Sequence, residues 1–227
     1  MKAVILAAGS GVRMRPLTDK VPKCLIPIGG RPFLSYLVSN LQEAGITSFV
    51  VVIGHLGEQI KDFFAEESID AEFIEQDKPG GTAEAVLLAE KHVKGGFIVV
   101  GADNLWSPDD MRLMLIDDRF MYMAAKEVDN PGKYGVLQVD GERLLKILEK
   151  PKHPPSNLIN TGLYKLTKEI FPALKGLKPS PRGELELTDA LTALAAKNKV
   201  KIKVLHDYWL DLGQPSDIPE IEAFLGR

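Results

Sequence analysis

The chain has 227 residues, 45% of them apolar and 26% charged, with a formal net charge of −3. That is long enough for one domain with a large core, and the small net charge gives no electrostatic reason to expect nucleic acid or an anionic membrane as a partner. A lone Cys24 excludes an internal disulfide, no apolar run approaches the ~20 residues of a membrane span, and Val4 to Ala8 is too short for a signal peptide, so the expectation is a cytoplasmic globular protein.

The first half alternates short apolar runs with helical patterns. Lys2 to Ala7 reads as a buried strand closed by glycine. Leu34, Leu37, Leu41 and Ala44 recur at helical spacing up to Gly45, and Phe49 to Gly54 is a second strand. Ile60, Phe63 and Phe64 mark a helix, Ala71 to Glu75 a third strand, Ala85, Leu88, Ala89 and His92 another helix, and Phe97 to Val100 a fourth strand. This alternation predicts an α/β fold with a mainly parallel sheet covered by helices on both faces. The second half reads as strands at Tyr134–Val139 and Leu144–Glu149 around Asp140-Gly141, a proline-rich loop from Lys150 to Pro155, a strand at Leu158–Leu166, a helix at Leu187–Lys197 and a strand at Lys201–Leu205. No flexible linker separates the halves, and residues 1–227 are expected to form one domain.

The strongest chemical signal is Leu6-Ala7-Ala8-Gly9-Ser10-Gly11-Val12-Arg13-Met14-Arg15-Pro16-Leu17-Thr18, followed by Pro22-Lys23-Cys24-Leu25. Glycines directly after a buried strand let backbone N–H groups approach phosphate oxygens. A Walker A loop is excluded, because Val12-Arg13 follows Gly11 where Lys-Ser/Thr is required. A dinucleotide fingerprint is excluded too: Met14 stands at the third glycine position, and Ile53-Gly54-His55 ends the second strand without a ribose-binding carboxylate. What remains is a glycine loop with two cations, Arg13 and Lys23, held by a proline-bounded segment. Asp103 follows a buried strand, where ligands gather in open α/β folds; read alone, it and Thr82 could equally be helix caps.

The loop closely resembles the nucleotide loop of the sugar-phosphate nucleotidylyltransferases, whose pattern runs Leu-Ala-Ala-Gly-x-Gly-x-Arg, Pro-Leu-Thr, Pro-Lys. Glucose-1-phosphate thymidylyltransferases and their uridylyl relatives are the nearest pattern. The resemblance implies a three-layer Rossmann-like nucleotide-diphospho-sugar transferase fold with a mixed, mainly parallel central sheet, its nucleotide-binding half at about residues 1–115 and its sugar-binding half at about 116–227. It also implies Arg13 and Lys23 as catalytic cations on the triphosphate, with Leu6, Ala8, Gly9, Ser10 and Gly11 cradling the nucleotide. Gln76-Asp77-Lys78-Pro79-Gly80-Gly81-Thr82-Ala83 resembles the base-binding segment, which carries Gln76, Pro79, Gly81 and Thr82 into the nucleotide site. Asn104, Tyr134, Gly135, Glu149, Lys150, Asn160, Thr161 and Trp209 fall in segments resembling the sugar-phosphate site. Asp103 and Asp211 fall where two aspartates hold Mg²⁺. The segment from Arg182 to Asp189 matches a further characteristic stretch with no role assigned to each acid.

The implied partners are a nucleoside triphosphate and a sugar 1-phosphate, in a monomer or small homo-oligomer. The expected reaction forms an NDP-sugar and pyrophosphate from dTTP or UTP and glucose 1-phosphate. Close rivals are mannose 1-phosphate with GTP and N-acetylglucosamine 1-phosphate with UTP; a rival of another kind is a non-catalytic sugar-nucleotide-binding subunit.

Overall fold

Every residue from Phe49 to Ile53 and from Phe97 to Val100 is buried, as are Ala3, Val4 and Ile5. Strands without an exposed side must be covered on both faces, and alternation of side chains then feeds two separate cores. The computed structural model, which describes residues 1–78, 80–181 and 183–226, has this arrangement. Ile5, Val51, Ile98 and Val100 enter one core, and Val4, Val50, Val52 and Val99 enter the other.

The strands in chain order are β1 (Lys2–Ala7), β2 (Pro27–Ile28), β3 (Arg31–Pro32), β4 (Phe49–Ile53), β5 (Ala71–Glu75), β6 (Phe97–Gly101), β7 (Asn104–Trp106), β8 (Met121–Glu127), β9 (Gly135–Asp140), β10 (Arg143–Glu149), β11 (Leu158–Leu166), β12 (Val200–Val204) and β13 (Trp209–Asp211). The helices are α1 (Phe33–Glu43), α2 (Gly57–Glu66), α3 (Thr82–Leu88), α4 (Pro108–Arg112), α5 (Ile170–Lys175), α6 (Leu187–Ala195) and α7 (Asp217–Leu225). Leu34 and Leu37 of α1 and Ile60 and Phe64 of α2 fill the first core; Val86 of α3, Phe171 of α5 and Leu191 of α6 fill the second. Burying each such side chain is worth about 1.5–3 kcal/mol, which sets both helical layers against the sheet.

The sheet runs β5-β4-β1-β6-β11-β8-β12-β10-β9. From β5 to β6 it is parallel throughout. Beyond β6 it becomes mixed: β11 lies antiparallel to β6 and β8, and β12 is parallel to β8 but antiparallel to β10. The mixed sheet between two helical layers is thus present, with its unbroken parallel part in the first half of the chain. β9 and β10 form the hairpin expected around Asp140-Gly141, where Gly141 has φ 58°. Sequence patterning missed β8, whose Met-Tyr-Met-Ala-Ala start is buried between two strands but rich in weak strand formers.

Candidate active site

The loop after β1 is folded onto itself. Gly11 has φ 61°, and a Cβ there would stand 2.8 Å from Thr18 Cγ2. The buried Thr18 donates its hydroxyl proton to Gly11 O at 2.8 Å, and Met14 N–H donates to the same oxygen at 2.8 Å. Only glycine combines that conformation with that closeness. Met14 and Cys24 are both buried and anchor the two ends of the cation-bearing stretch. Burial, then the charge of Asp103, pushes the Cys24 thiol up to about 12, so this sulfur packs rather than reacts.

Lys23 Nζ donates to Asp103 Oδ2 at 2.6 Å. Asn104 Nδ2 donates to Asp103 Oδ1 at 2.9 Å, while Asn104 Oδ1 accepts from Trp209 Nε1 at 2.9 Å. β7 and β13 pair antiparallel with Asp211 opposite Asn104, and Leu212 N–H donates to Asp103 O at 2.9 Å. These contacts bring the two aspartates, far apart in sequence, to one edge of the fold. Burial opposes ionisation of Asp103, but Lys23 and Asn104 outweigh it and hold the carboxyl below its ordinary range. At Asp211 burial and the charge of Asp103 win over Lys23 and Arg13, raising the carboxyl to about 6.

Two cavities open at this edge. The first, about 410 Å³, is lined by Leu6, Ala8, Gly9, Ser10, Lys23, Gln76, Gly81, Thr82, Asp103 and Asn104. The second, about 770 Å³, is lined by Arg13, Tyr134, Gly135, Glu149, Lys150, Asn160, Trp209 and Asp211. The sequence-derived nucleotide and sugar sets therefore separate into two spaces, except at Asn104, Thr161, Arg13 and Gly11. Asn104, expected among the sugar-phosphate residues, lines the first cavity, with its amide committed to Asp103 and Trp209. Thr161 is buried and donates to Ala124 O at 3.1 Å, so its side chain faces the core rather than a sugar. Its neighbour Asn160 points the other way, as alternation along β11 requires, and holds Tyr164 OH at 2.7 Å. Arg13 borders the second cavity, away from the rest of its loop, and Gly11 shapes the loop without lining either space. Pro79 lies outside the described residues.

Thr82 does line the first cavity, but its Oγ1 accepts from Leu187 N–H at 3.0 Å, tying the start of α3 to the start of α6 instead of capping its own helix. Ala83 N–H and Leu185 N–H complete this seam, donating to Leu185 O and Gly80 O at 2.9 Å each. The stretch around Glu184 that carried no assigned role is thereby a wall of the first cavity, together with Gly162, Tyr164 and Leu187. A cavity wall drawn from both halves of the chain leaves no trace in sequence spacing. Asp217 was missed as well: its Oδ2 accepts from Gly213 and Gln214 N–H at 2.8 Å each, shaping the turn after Asp211.

Asp103 and Asp211 offer only oxygen donors, and their mutual repulsion is left partly unrelieved by Lys23 and Arg13. That donor set suits a hard divalent cation. Among the described residues no group of three or more His, Cys, Asp and Glu could hold an ion, so such a cation would complete its ligands from substrate phosphate and water.

The glycine-rich loop after β1 and the Lys23–Asp103 pair lie together beyond the C-terminal ends of the neighbouring strands β1 and β6, where open α/β sheets gather ligands. The chain belongs to the nucleotidyl transferase family, whose model matches residues 2–227. It is 40% identical over 219 residues to the bifunctional protein GlmU of Methanococcus aeolicus, covering 96% of this chain and 53% of that protein. It is 37% identical over 226 residues to the bifunctional sugar-1-phosphate nucleotidylyltransferase/acetyltransferase of Sulfurisphaera tokodaii, covering 99% of this chain and 55% of that one. The chain thus spans about half the length of these relatives. Among solved structures it is similar to a UDP-glucose pyrophosphorylase complexed with UDP-glucose, with a TM-score of 0.88, 27% identity and coverage of 100% and 99% of the two chains. Among the described residues no helix is long and apolar enough to cross a membrane.

Proposed function

We propose that this chain is a sugar-1-phosphate nucleotidylyltransferase that transfers a nucleotidyl group from dTTP or UTP to glucose 1-phosphate in the presence of Mg²⁺. The observation that carries this reading is the junction of the two cavities: Lys23 and Asp103 line one, Arg13 and Asp211 the other, and the two aspartates act on each other electrostatically. A nucleoside triphosphate in the first cavity and a sugar phosphate in the second would meet there. The sugar-phosphate oxygen attacks the α-phosphorus, the bond to the β-phosphate oxygen breaks, and pyrophosphate leaves with its electrons. The attacking phosphate is already anionic, so no nucleophile–base dyad is required. Positioning and charge compensation do the work.

In this reading Lys23 faces the charge that builds on the α-phosphate, and Arg13 holds phosphate from the side of the second cavity. Asp103 and Asp211 would hold Mg²⁺, which would supply further neutralisation of phosphate charge. Tyr134 and Trp209, edge to face with centroids 5.5 Å apart, give the sugar an apolar wall, while Glu149 and Lys150 offer it polar partners. Gln76 and Gly81 meet the pyrimidine edge.

The test is pyrophosphate release across a grid of nucleoside triphosphates against glucose, N-acetylglucosamine and mannose 1-phosphates. UTP or dTTP with glucose 1-phosphate should give the highest specificity constants. A best pair of GTP with mannose 1-phosphate would overturn the pyrimidine reading, and ligand binding without turnover would make the chain a regulatory subunit.

A further inference from the structure

We infer that Glu84 is the positioning residue for base selection, fixing the Gln76 amide so that its carbonyl oxygen faces the base. The inference rests on the pyrimidine site proposed above and concerns a residue one turn away from it. Gln76 is anchored at the end of β5, its N–H donating to Ile53 O at 2.8 Å. Its Nε2 donates to Glu84 Oε2 at 2.7 Å and reaches Gly81 O at 3.4 Å. A primary amide has two N–H protons, and both are directed at oxygens with no proton to give back. Rotating the amide by 180° would set its carbonyl oxygen against a carboxylate oxygen and a backbone carbonyl, so the observed orientation is the one the surroundings allow. Oε1 is then left as an acceptor on a residue that lines the first cavity.

That orientation has a chemical consequence. Uracil and thymine present a donor at N3, whereas cytosine presents an acceptor there. A locked acceptor on Gln76 matches the first two and repels the third. Adenine is rejected on the same ground, since its N1 is an acceptor.

Gly80 makes the room that this carboxylate occupies. A Cβ built on Gly80 would lie 1.6 Å from Glu84 Oε2, so the absence of a side chain at Gly80 is what lets the carboxylate sit beneath the turn. The obstructing atom is the free end of a flexible side chain, so a methyl group there displaces the carboxylate and spares the backbone. Glu84→Ala and Gly80→Ala are therefore two different routes to one loss. An acid in the first turn of α3 also interacts favourably with the helix N-terminus, but that role affects stability alike for every nucleotide.

The experiment compares kcat/KM for UTP and CTP with the same sugar phosphate, and calorimetric Kd for each triphosphate without sugar, in wild type and both variants. The UTP:CTP ratio should fall roughly tenfold in Glu84→Ala and in Gly80→Ala, about what one misplaced hydrogen bond costs. A general structural defect lowers both constants and leaves the ratio alone. An unchanged ratio in Glu84→Ala, whatever its absolute rates, overturns the inference; if that variant does not fold, Gly80→Ala decides. A wild type that does not prefer UTP over CTP overturns the underlying assignment of dTTP or UTP as well, a result distinct from an unchanged ratio.

Discussion

Lys23 Nζ lies 2.6 Å from Asp103 Oδ2, joining residues eighty positions apart, with the lysine side chain only 12% exposed and the aspartate 36%. A largely desolvated ammonium pinned to a carboxylate is a preorganised charge, and it needs little reorganisation when a phosphate arrives beside it. Both side chains border the first cavity. The pair links the loop after β1 to the end of β6, so the charge proposed for catalysis also fixes the geometry.

Lys23→Ala should lower turnover by roughly 10²–10³-fold, the usual scale for losing one donor aimed at developing negative charge. Lys23→Gln should do little better, because it keeps the length without the charge. Steady-state pyrophosphate release measures both; wild-type rates in either variant would remove Lys23 from the mechanism.

The Asp211 carboxyl, raised to about 6 by burial and by Asp103, gives metal-free protein a defined pH dependence. A carboxyl whose folded value lies above its unfolded value binds more protons when folded. Stability is therefore lost as pH rises through the window from 3.8 to about 6 and stays lost above it. The shift corresponds to about 3 kcal/mol before screening, and partial exposure reduces this to about 1–2 kcal/mol. Metal-free Asp211→Asn should accordingly melt higher than wild type at pH 7.5, with the difference vanishing near pH 4. The same variant should need more Mg²⁺ and turn over more slowly. Calorimetric melting in chelator at the two pH values decides; a lower melting temperature for the variant at pH 7.5 would contradict the repulsion.

The sequence carried the loop chemistry and the parallel half of the sheet because both are local. Gly11, Arg13 and Lys23 sit in one continuous motif, and Phe49 to Ile53 is apolar at every position. The antiparallel half was less legible, since β8 begins with Met and Ala and owes its strand conformation to β11 and β12 on either side. Side-chain direction was the weakest inference. Asn160 and Thr161 are adjacent in a recognisable segment, yet alternation sends one towards the second cavity and the other into the core. The resemblance puts Asn104 with the sugar-phosphate residues; its amide bonds the adjacent Asp103, and its carbonyl is taken by Trp209 of β13, which arrives more than a hundred residues later.

Trp209 should report on the second cavity. It is one of two tryptophans; the other, Trp106, is completely buried. The Trp209 ring stands edge to face with Tyr134 at 5.5 Å, and its indole N–H is bonded to Asn104. Sugar phosphate entering this space should change the tryptophan emission, and Trp209→Phe should abolish the change while the Trp106 signal persists. The lost bond to Asn104 should also lower kcat/KM by roughly tenfold. A titration signal that survives in Trp209→Phe would place the sugar elsewhere.

Asp110 sits outside both cavities, yet it should govern the proposed Mg²⁺ site through the backbone. It is only 2% exposed, and its N–H donates at 3.1 Å to Oγ of Ser107, the N-cap of α4. Its two carboxylate oxygens accept from the backbone N–H groups of His206 at 3.0 Å and Asp207 at 2.9 Å. Those residues lead directly into β13, which carries Trp209 and Asp211, so one buried carboxylate sets the entry of the strand that brings Asp211 opposite Asn104. Asp110→Ala would leave two N–H groups without their acceptor, at a cost of roughly 2–4 kcal/mol. Asp110→Asn keeps one oxygen acceptor but sets an N–H₂ group against the second amide, so it should cost part of that amount. Because β13 would be less firmly placed, Asp110→Ala should also raise the Mg²⁺ concentration needed for half-maximal rate several-fold, with a smaller effect on KM for the triphosphate, whose cavity is built on β1, β6 and α3. Denaturant melts give the stability and a metal titration of the initial rate gives the coupling. A variant that loses stability but keeps the wild-type Mg²⁺ requirement would show that Asp110 supports the fold without positioning Asp211.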